Sequence, residues 1–163
     1  MNDANFLKKL KKENKIELIE ITENMSSSYN KKSKDCLLAA KILFKQKLFE
    51  NSIGEAYYSM YNSLLSLFFI CGIKCENHTG SVSLLKLIFK LEKLSILFLK
   101  AKEERIDKQY YTLTVQTTPA TKISTKEFIV SAENFILEIN TYKNNLKLEG
   151  IKSIRDEFGK LIY

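Results

Sequence analysis

Residues 52–80 read Ser52-Ile-Gly-Glu-Ala-Tyr-Tyr-Ser-Met-Tyr-Asn-Ser-Leu-Leu-Ser-Leu-Phe-Phe-Ile-Cys-Gly-Ile-Lys-Cys-Glu-Asn-His-Thr-Gly80. Ile53, Tyr57, Met60, Leu64, Leu67 and Cys71 recur at alternating spacings of four and three, and Ala56, Tyr61, Leu65 and Phe68 form a second seam. A helix that is apolar on most of its circumference has to be enclosed on most of its circumference. The stretch therefore predicts the central rod of a helical bundle, or a helix lying between two subunits. Ser52 with Glu55 three residues on has the form of a capping box. Gly72 is a left-handed stop. The loop expected over 73–79 holds the chain's single histidine, His78.

The flanking sequence supplies the rod's neighbours. Leu7, Leu10, Leu18 and Ile21 predict an amphipathic helix over 5–24, made peripheral by its polar middle, Lys11 to Lys15. Ser26-Ser27-Ser28 breaks that pattern and can cap the next helix, Tyr29 to Lys47, whose inward side is Cys36, Ala39, Ala40, Leu43 and Phe44. After the rod come a short helix over 80–91 (Val82, Leu85, Ile88, Phe89 inward) and one over 95–113 with a buried stripe of Leu99, Ile106, Tyr110 and Leu113. Thr114 to Thr121, with the chain's one proline, reads as a loop. Ser124 and Glu127 form a second capping box, opening a helix with Phe128, Ala132, Phe135, Ile139, Tyr142 and Leu146 inward and Gly150 as its end. The prediction is all-α: an antiparallel up-and-down bundle of four to five main helices. Residues 1–28 form a peripheral N-terminal helix, 29–150 the bundle, and 151–163 a short helix or tail. No repeat or linker divides the 163 residues further.

The formal net charge is +7, carried almost wholly by lysine; Arg105 and Arg155 are the only arginines. A basic surface suits anionic partners, nucleic acid or nucleotide, although scattered lysines also make an ordinary solvated face. Arginine is the better bidentate phosphate ligand, which singles out those two positions. Three cysteines, Cys36, Cys71 and Cys75, and the charged N-terminus predict a reducing, cytoplasmic setting. The longest apolar run, Leu64 to Ile73, is too short to span a membrane. Cys71, Cys75 and His78 could offer three metal ligands, with Cys36 a fourth. Cys71 falls on the apolar seam, however, and no second close pair exists, so no metal and no cofactor are expected.

The run Ala56-Tyr57-Tyr58-Ser59-Met60-Tyr61, followed by Gly72-Ile73 and then by Asn77-His78-Thr79-Gly80, resembles the HEPN ("higher eukaryotes and prokaryotes nucleotide-binding") domain, over roughly residues 29–113. Within that family it is similar to the small stand-alone prokaryotic members. The resemblance implies an up-and-down bundle that forms a homodimer. It also implies a toxin-like half of a two-protein system, with a small nucleotidyltransferase as antitoxin. Many members are metal-independent ribonucleases whose chemistry lies in an Arg-x(4–6)-His motif on a late helix, facing its copy on a second subunit. Here Arg105-Ile-Asp-Lys-Gln-Tyr110-Tyr111 stands in that place, with tyrosine where those enzymes carry histidine.

The substitution matters chemically. Attack of a 2′-hydroxyl on phosphate needs a base of near-neutral pKa; histidine at about 6.5 suits this, whereas tyrosine at about 10 stays protonated. Arg105 can still hold a phosphate, and Tyr110 or Tyr111 can hydrogen-bond it or stack on a base. Arg105 and Tyr110 are thus the candidate catalytic pair, and Arg105, Tyr111, His78, Tyr58 and Tyr61 the candidate ligand-binding set. Each has a plainer alternative: Tyr110 a core tyrosine, His78 a loop brace, the tyrosines of the rod packing groups. The leading expectation is an RNA- or nucleotide-binding protein. An active endoribonuclease and a protein–protein interaction module are the alternatives.

Overall fold

The computed structural model describes residues 2–110 and 119–163, with Gln109 and Tyr110 described in their backbone alone. The chain is all-α apart from one small ribbon. In order it forms α1 (Asp3–Lys12), β1 (Ile16–Leu18), α2 (Glu23–Lys45), α3 (Phe49–Ile70), β2 (Ile73–Cys75), α4 (His78–Leu87), α5 (Glu92–Tyr110), α6 (Lys122–Asn145) and α7 (Leu148–Ile162). No helix among the described residues is long and apolar enough to cross a membrane.

The rod is α3. It packs against α2, α5, α6 and β2, and Ile53, Tyr57, Met60, Leu64, Leu67 and Cys71 are all fully buried. The second seam follows, with Ala56, Leu65 and Phe68 inside and Tyr61 half-buried. Neither predicted capping box stands where the pattern put it. Helix α3 starts a turn early at Phe49, leaving Ser52 inside the helix, where its hydroxyl donates to Ala40 O at 2.8 Å. Helix α6 is capped by Thr121 and Ser124, each side chain bonding the other's backbone N–H. A serine or threonine can satisfy an orphan N–H only from the position the incoming backbone allows, and both loops deliver the chain a turn sooner than the motif implies.

The N-terminus is not peripheral. The helix expected over 5–24 divides into α1, a turn at Asn14 (φ 55°) and strand β1. That strand pairs antiparallel with β2, Ile16 opposite Cys75 and Leu18 opposite Ile73. Leu7 and Ile16 are fully buried and Leu10 nearly so, α1 lying against α4 and α7. The lysines of 11–15 mark a turn between two buried segments, which a helical reading mistakes for a frayed middle. Ser26 sits within α2 instead of breaking it; Ser26 and Ser33 donate to Ser66 O and Ser59 O of α3 at 2.8 and 2.7 Å. At the other end, Gly150 lies inside α7 rather than closing α6, and Ile151, Ile154, Phe158 and Ile162 bury that helix's apolar stripe. Residues 151–163 therefore belong to the core.

One residue ties these pieces together. Arg155 of α7 donates from Nη1 to Ile19 O, Cys71 O and Gly72 O at 2.9, 3.0 and 3.1 Å. It thereby satisfies carbonyls at the C-terminus of α3, where cations are favoured. Gly72 leaves α3 at φ +64°, as its sequence position predicts. Of the two arginines, Arg155 is thus a structural clamp.

Candidate functional site

Helix α5 decides the site. The predicted stripe (Leu99, Ile106, Tyr110, Leu113) is rotated relative to the observed one, which is Leu94, Phe98, Ala101 and Arg105. Leu99 is exposed and Ile106 half-buried; Tyr110's side chain and Leu113 lie outside the described residues. Arg105 therefore faces inward and is only 8% exposed. Its guanidinium lies over the rings of Tyr57 and Tyr58, 5.0 and 5.3 Å from their centroids. Reading charged residues as outward-facing hides such a position, because an arginine can bury its stem and stack its planar head on aromatic faces.

The loop after α3 is shorter than expected. Strand β2 ends at Cys75, Asn77 caps α4 by accepting from Gly80 N at 2.7 Å, and His78 is the first helical residue. Gly80 permits the approach of α1: a Cβ there would sit 2.6 Å from Leu10 Cδ1 and 3.2 Å from Cys75 Sγ. Asn77 does the capping, so His78's ring is available for α3. It stacks on Tyr61 at 3.9 Å between centroids and 21° between planes. Its Nδ1 lies 2.6 Å from Tyr57 Oη. Lys102 of α5 donates to Thr79 Oγ1 at 2.7 Å, tying α5 to the start of α4.

Four of the predicted site residues, Arg105, Tyr58, Tyr61 and His78, therefore share one locality. Tyr57, expected to be plain core, is the residue joining them: it touches His78 with its hydroxyl, Arg105 with its face and Phe98 by stacking at 5.3 Å. Its burial was legible in the rod's periodicity, but its pairing with His78 had no sequence signal. Tyr111 and the side chain of Tyr110 lie outside the described residues. The cysteines do not converge on His78: Cys75 Sγ donates to Asn77 O at 3.4 Å, and Cys71 is buried at the end of α3. Among the described residues no three His, Cys, Asp or Glu side chains could hold one metal ion.

Electrostatics follow from this packing. Burial, then the charges of Arg105 and Lys102, push His78 down to about 4. Burial pushes the Tyr57 and Tyr61 hydroxyls up, in Tyr57 against the pull of Arg105. At neutral pH the site therefore holds a neutral imidazole and protonated tyrosines beside cationic side chains.

Linkage gives the sign of the pH response. The unfolded chain protonates its histidine below about pH 6.5, while the folded one does so only near 4. In that window the unfolded state binds the extra proton, so acidification destabilises the fold; above it His78 contributes nothing. The wild type should lose more of its urea midpoint between about pH 7 and 5 than His78→Gln does. Equal losses would show that His78 titrates normally.

No family model matches the chain. A curated protein of Methanocaldococcus jannaschii named "Putative toxin MJ0605" is 28% identical over 111 residues, covering 68% of this chain and 78% of that protein. The chain is therefore similar to a small protein named as a toxin.

Proposed function

We propose that this protein is a HEPN-like, toxin-type component of a two-protein system that binds RNA or a nucleotide at the Arg105 site, with a nucleotidyltransferase as its antitoxin. The carrying observation is the arginine itself. At 8% exposure its guanidinium lies over two tyrosine faces, in the same locality as the neutral His78. A guanidinium, a lysine and stackable rings are what a phosphate with an attached base requires. The name of the archaeal relative supports the toxin assignment.

Fluorescence anisotropy with a short single-stranded RNA tests the reading. Binding should weaken as salt rises, with a log–log slope of about −0.7 per phosphate contact. RNA that neither binds nor is cleaved, from about 50 mM salt upward, would remove the proposal.

The protein acts, in this reading, as a dimer of identical chains. Helix α6 buries Phe128, Ala132, Phe135 and Ile139, yet Ile123, Val130 and Leu137 stand exposed at heptad spacing on its outer side, beside exposed Leu38 and Ile42 of α2. The stripe fits a helix-pairing seam. Its surroundings carry Lys41, Lys45 and Lys126 against Glu127, Glu133 and Glu138, so they are neutral on a chain of net charge +7. A two-fold axis near Val130 would set Ile123 against Leu137, with the Glu133 carboxylate of each copy held by its own Lys41. Light scattering should show a dimer for the wild type and a monomer for Val130→Glu. A monomeric wild type at about 100 μM would exclude this face as the interface.

A further inference from the structure

The Tyr57–His78 contact has two possible polarities, and they lead to opposite chemistry. In a neutral imidazole one ring nitrogen carries the proton and the other a lone pair. If Nδ1–H donated to Tyr57, the phenolic hydrogen would need another acceptor. Tyr57 is fully buried, and among the described residues its hydroxyl has only the histidine within hydrogen-bonding distance. Stranding that hydrogen would cost about 1–3 kcal/mol. The imidazole is only half-buried, so a proton at Nε2 incurs no such penalty. The stack on Tyr61 at 3.9 Å and the 2.6 Å contact hold the ring from two directions.

We propose that Tyr57 is a positioning residue that donates to His78 Nδ1, fixing the Nε2–H tautomer, so that His78 offers a proton donor to a phosphoryl oxygen and no base to a hydroxyl. The inference rests on the binding function above and deepens it. With His78 in this state, its imidazole, the Arg105 guanidinium and the Lys102 ammonium are all donors. Such a site suits an acceptor-rich anion, a phosphodiester or nucleotide phosphate. It lacks what strand cleavage requires of His78, since the lone pair that could take a 2′-hydroxyl proton is engaged by Tyr57. The titratable and charged groups around the ring are Tyr57 and Tyr61 from α3 and Lys102 and Arg105 from α5; burial and the two cations disfavour an imidazolium there.

The single histidine makes the test direct. Long-range ¹H–¹⁵N spectra of the full-length protein labelled in histidine nitrogen report the tautomer without ambiguity of assignment. At pH 7 the free protein should show a protonated Nε2 and an unprotonated Nδ1. Tyr57→Phe keeps the ring and its stacking, and should shift the imidazole to a tautomer mixture. Titration with a short single-stranded RNA should move the Nε2 resonance in the wild type, and Tyr57→Phe should weaken binding several-fold. A protonated Nδ1 in the free wild type overturns the positioning role. RNA that binds while leaving Nε2 unmoved overturns the donor role. RNA that does not bind at all overturns the functional reading and the ligand with it, whereas the tautomer, read in the free protein, answers for Tyr57 separately.

Discussion

Gly72→Ala is expected to cost roughly 4 kcal/mol of folding stability. Two costs add. A non-glycine residue at φ +64° bears a left-handed penalty of about 1–2 kcal/mol. The new Cβ would also stand 1.8 Å from Arg155 Nη1 and 2.7 Å from Ile19 O. The guanidinium can swing away, but it then abandons Ile19 O and Cys71 O, while Gly72 O keeps the Ile19 N–H. Each buried acceptor left unbonded costs about 1–3 kcal/mol. Arg155→Met, which keeps much of the stem, should lose about 2–4 kcal/mol on the same ground. Because both substitutions break one cluster, the double variant should lose clearly less than the sum. Urea unfolding of the three variants measures this. A Gly72→Ala loss below about 1 kcal/mol, or strictly additive losses, would mean that Arg155 does not hold α3, β1 and α7 together.

The second large effect falls on binding. Arg105→Ala should weaken single-stranded RNA binding roughly tenfold to hundredfold, the worth of one charge-assisted phosphate contact. It should also flatten the salt slope by about 0.7. The paired signature separates a phosphate ligand from a merely structural arginine. Losing the stacking over Tyr57 and Tyr58 also destabilises the fold by about 1–2 kcal/mol, which unfolding measures independently. Arg105→Lys keeps the charge without the planar stacking head and should fall between. Unchanged affinity and slope in a variant of native helicity would place the ligand elsewhere.

What was readable in the sequence came from strong periodicity. The rod's two seams recur over five turns, so its enclosure was legible without coordinates, whether by neighbouring helices or by a second subunit. The inward face of α6 was legible for the same reason. The stripe of α5 was not: its pattern mixes apolar and charged residues evenly, so a rotation that exposes Leu99 and buries Arg105 scores no worse as a periodicity. The serines misled in the other direction. Ser26 reads as a break between helices and Ser52 as a cap, yet both, like Ser33, donate across the α2–α3 contact to a carbonyl of the facing helix, a role that depends on the neighbour's distance.

By itself the sequence determined that the chain is helical, that Tyr57 is buried, that α3 stops at Gly72, and that Arg105, Tyr58, Tyr61 and His78 merit attention. These follow from spacing along one element or from the scarcity of a residue type. Tertiary structure alone decided that the N-terminal strand and the last helix close the core, that Arg155 grips the end of α3, and that Tyr57 faces His78. Those depend on where elements far apart in the chain meet. A hydrogen bond of 2.6 Å between residues 21 apart is set by the packing of two helices, and no local pattern encodes it.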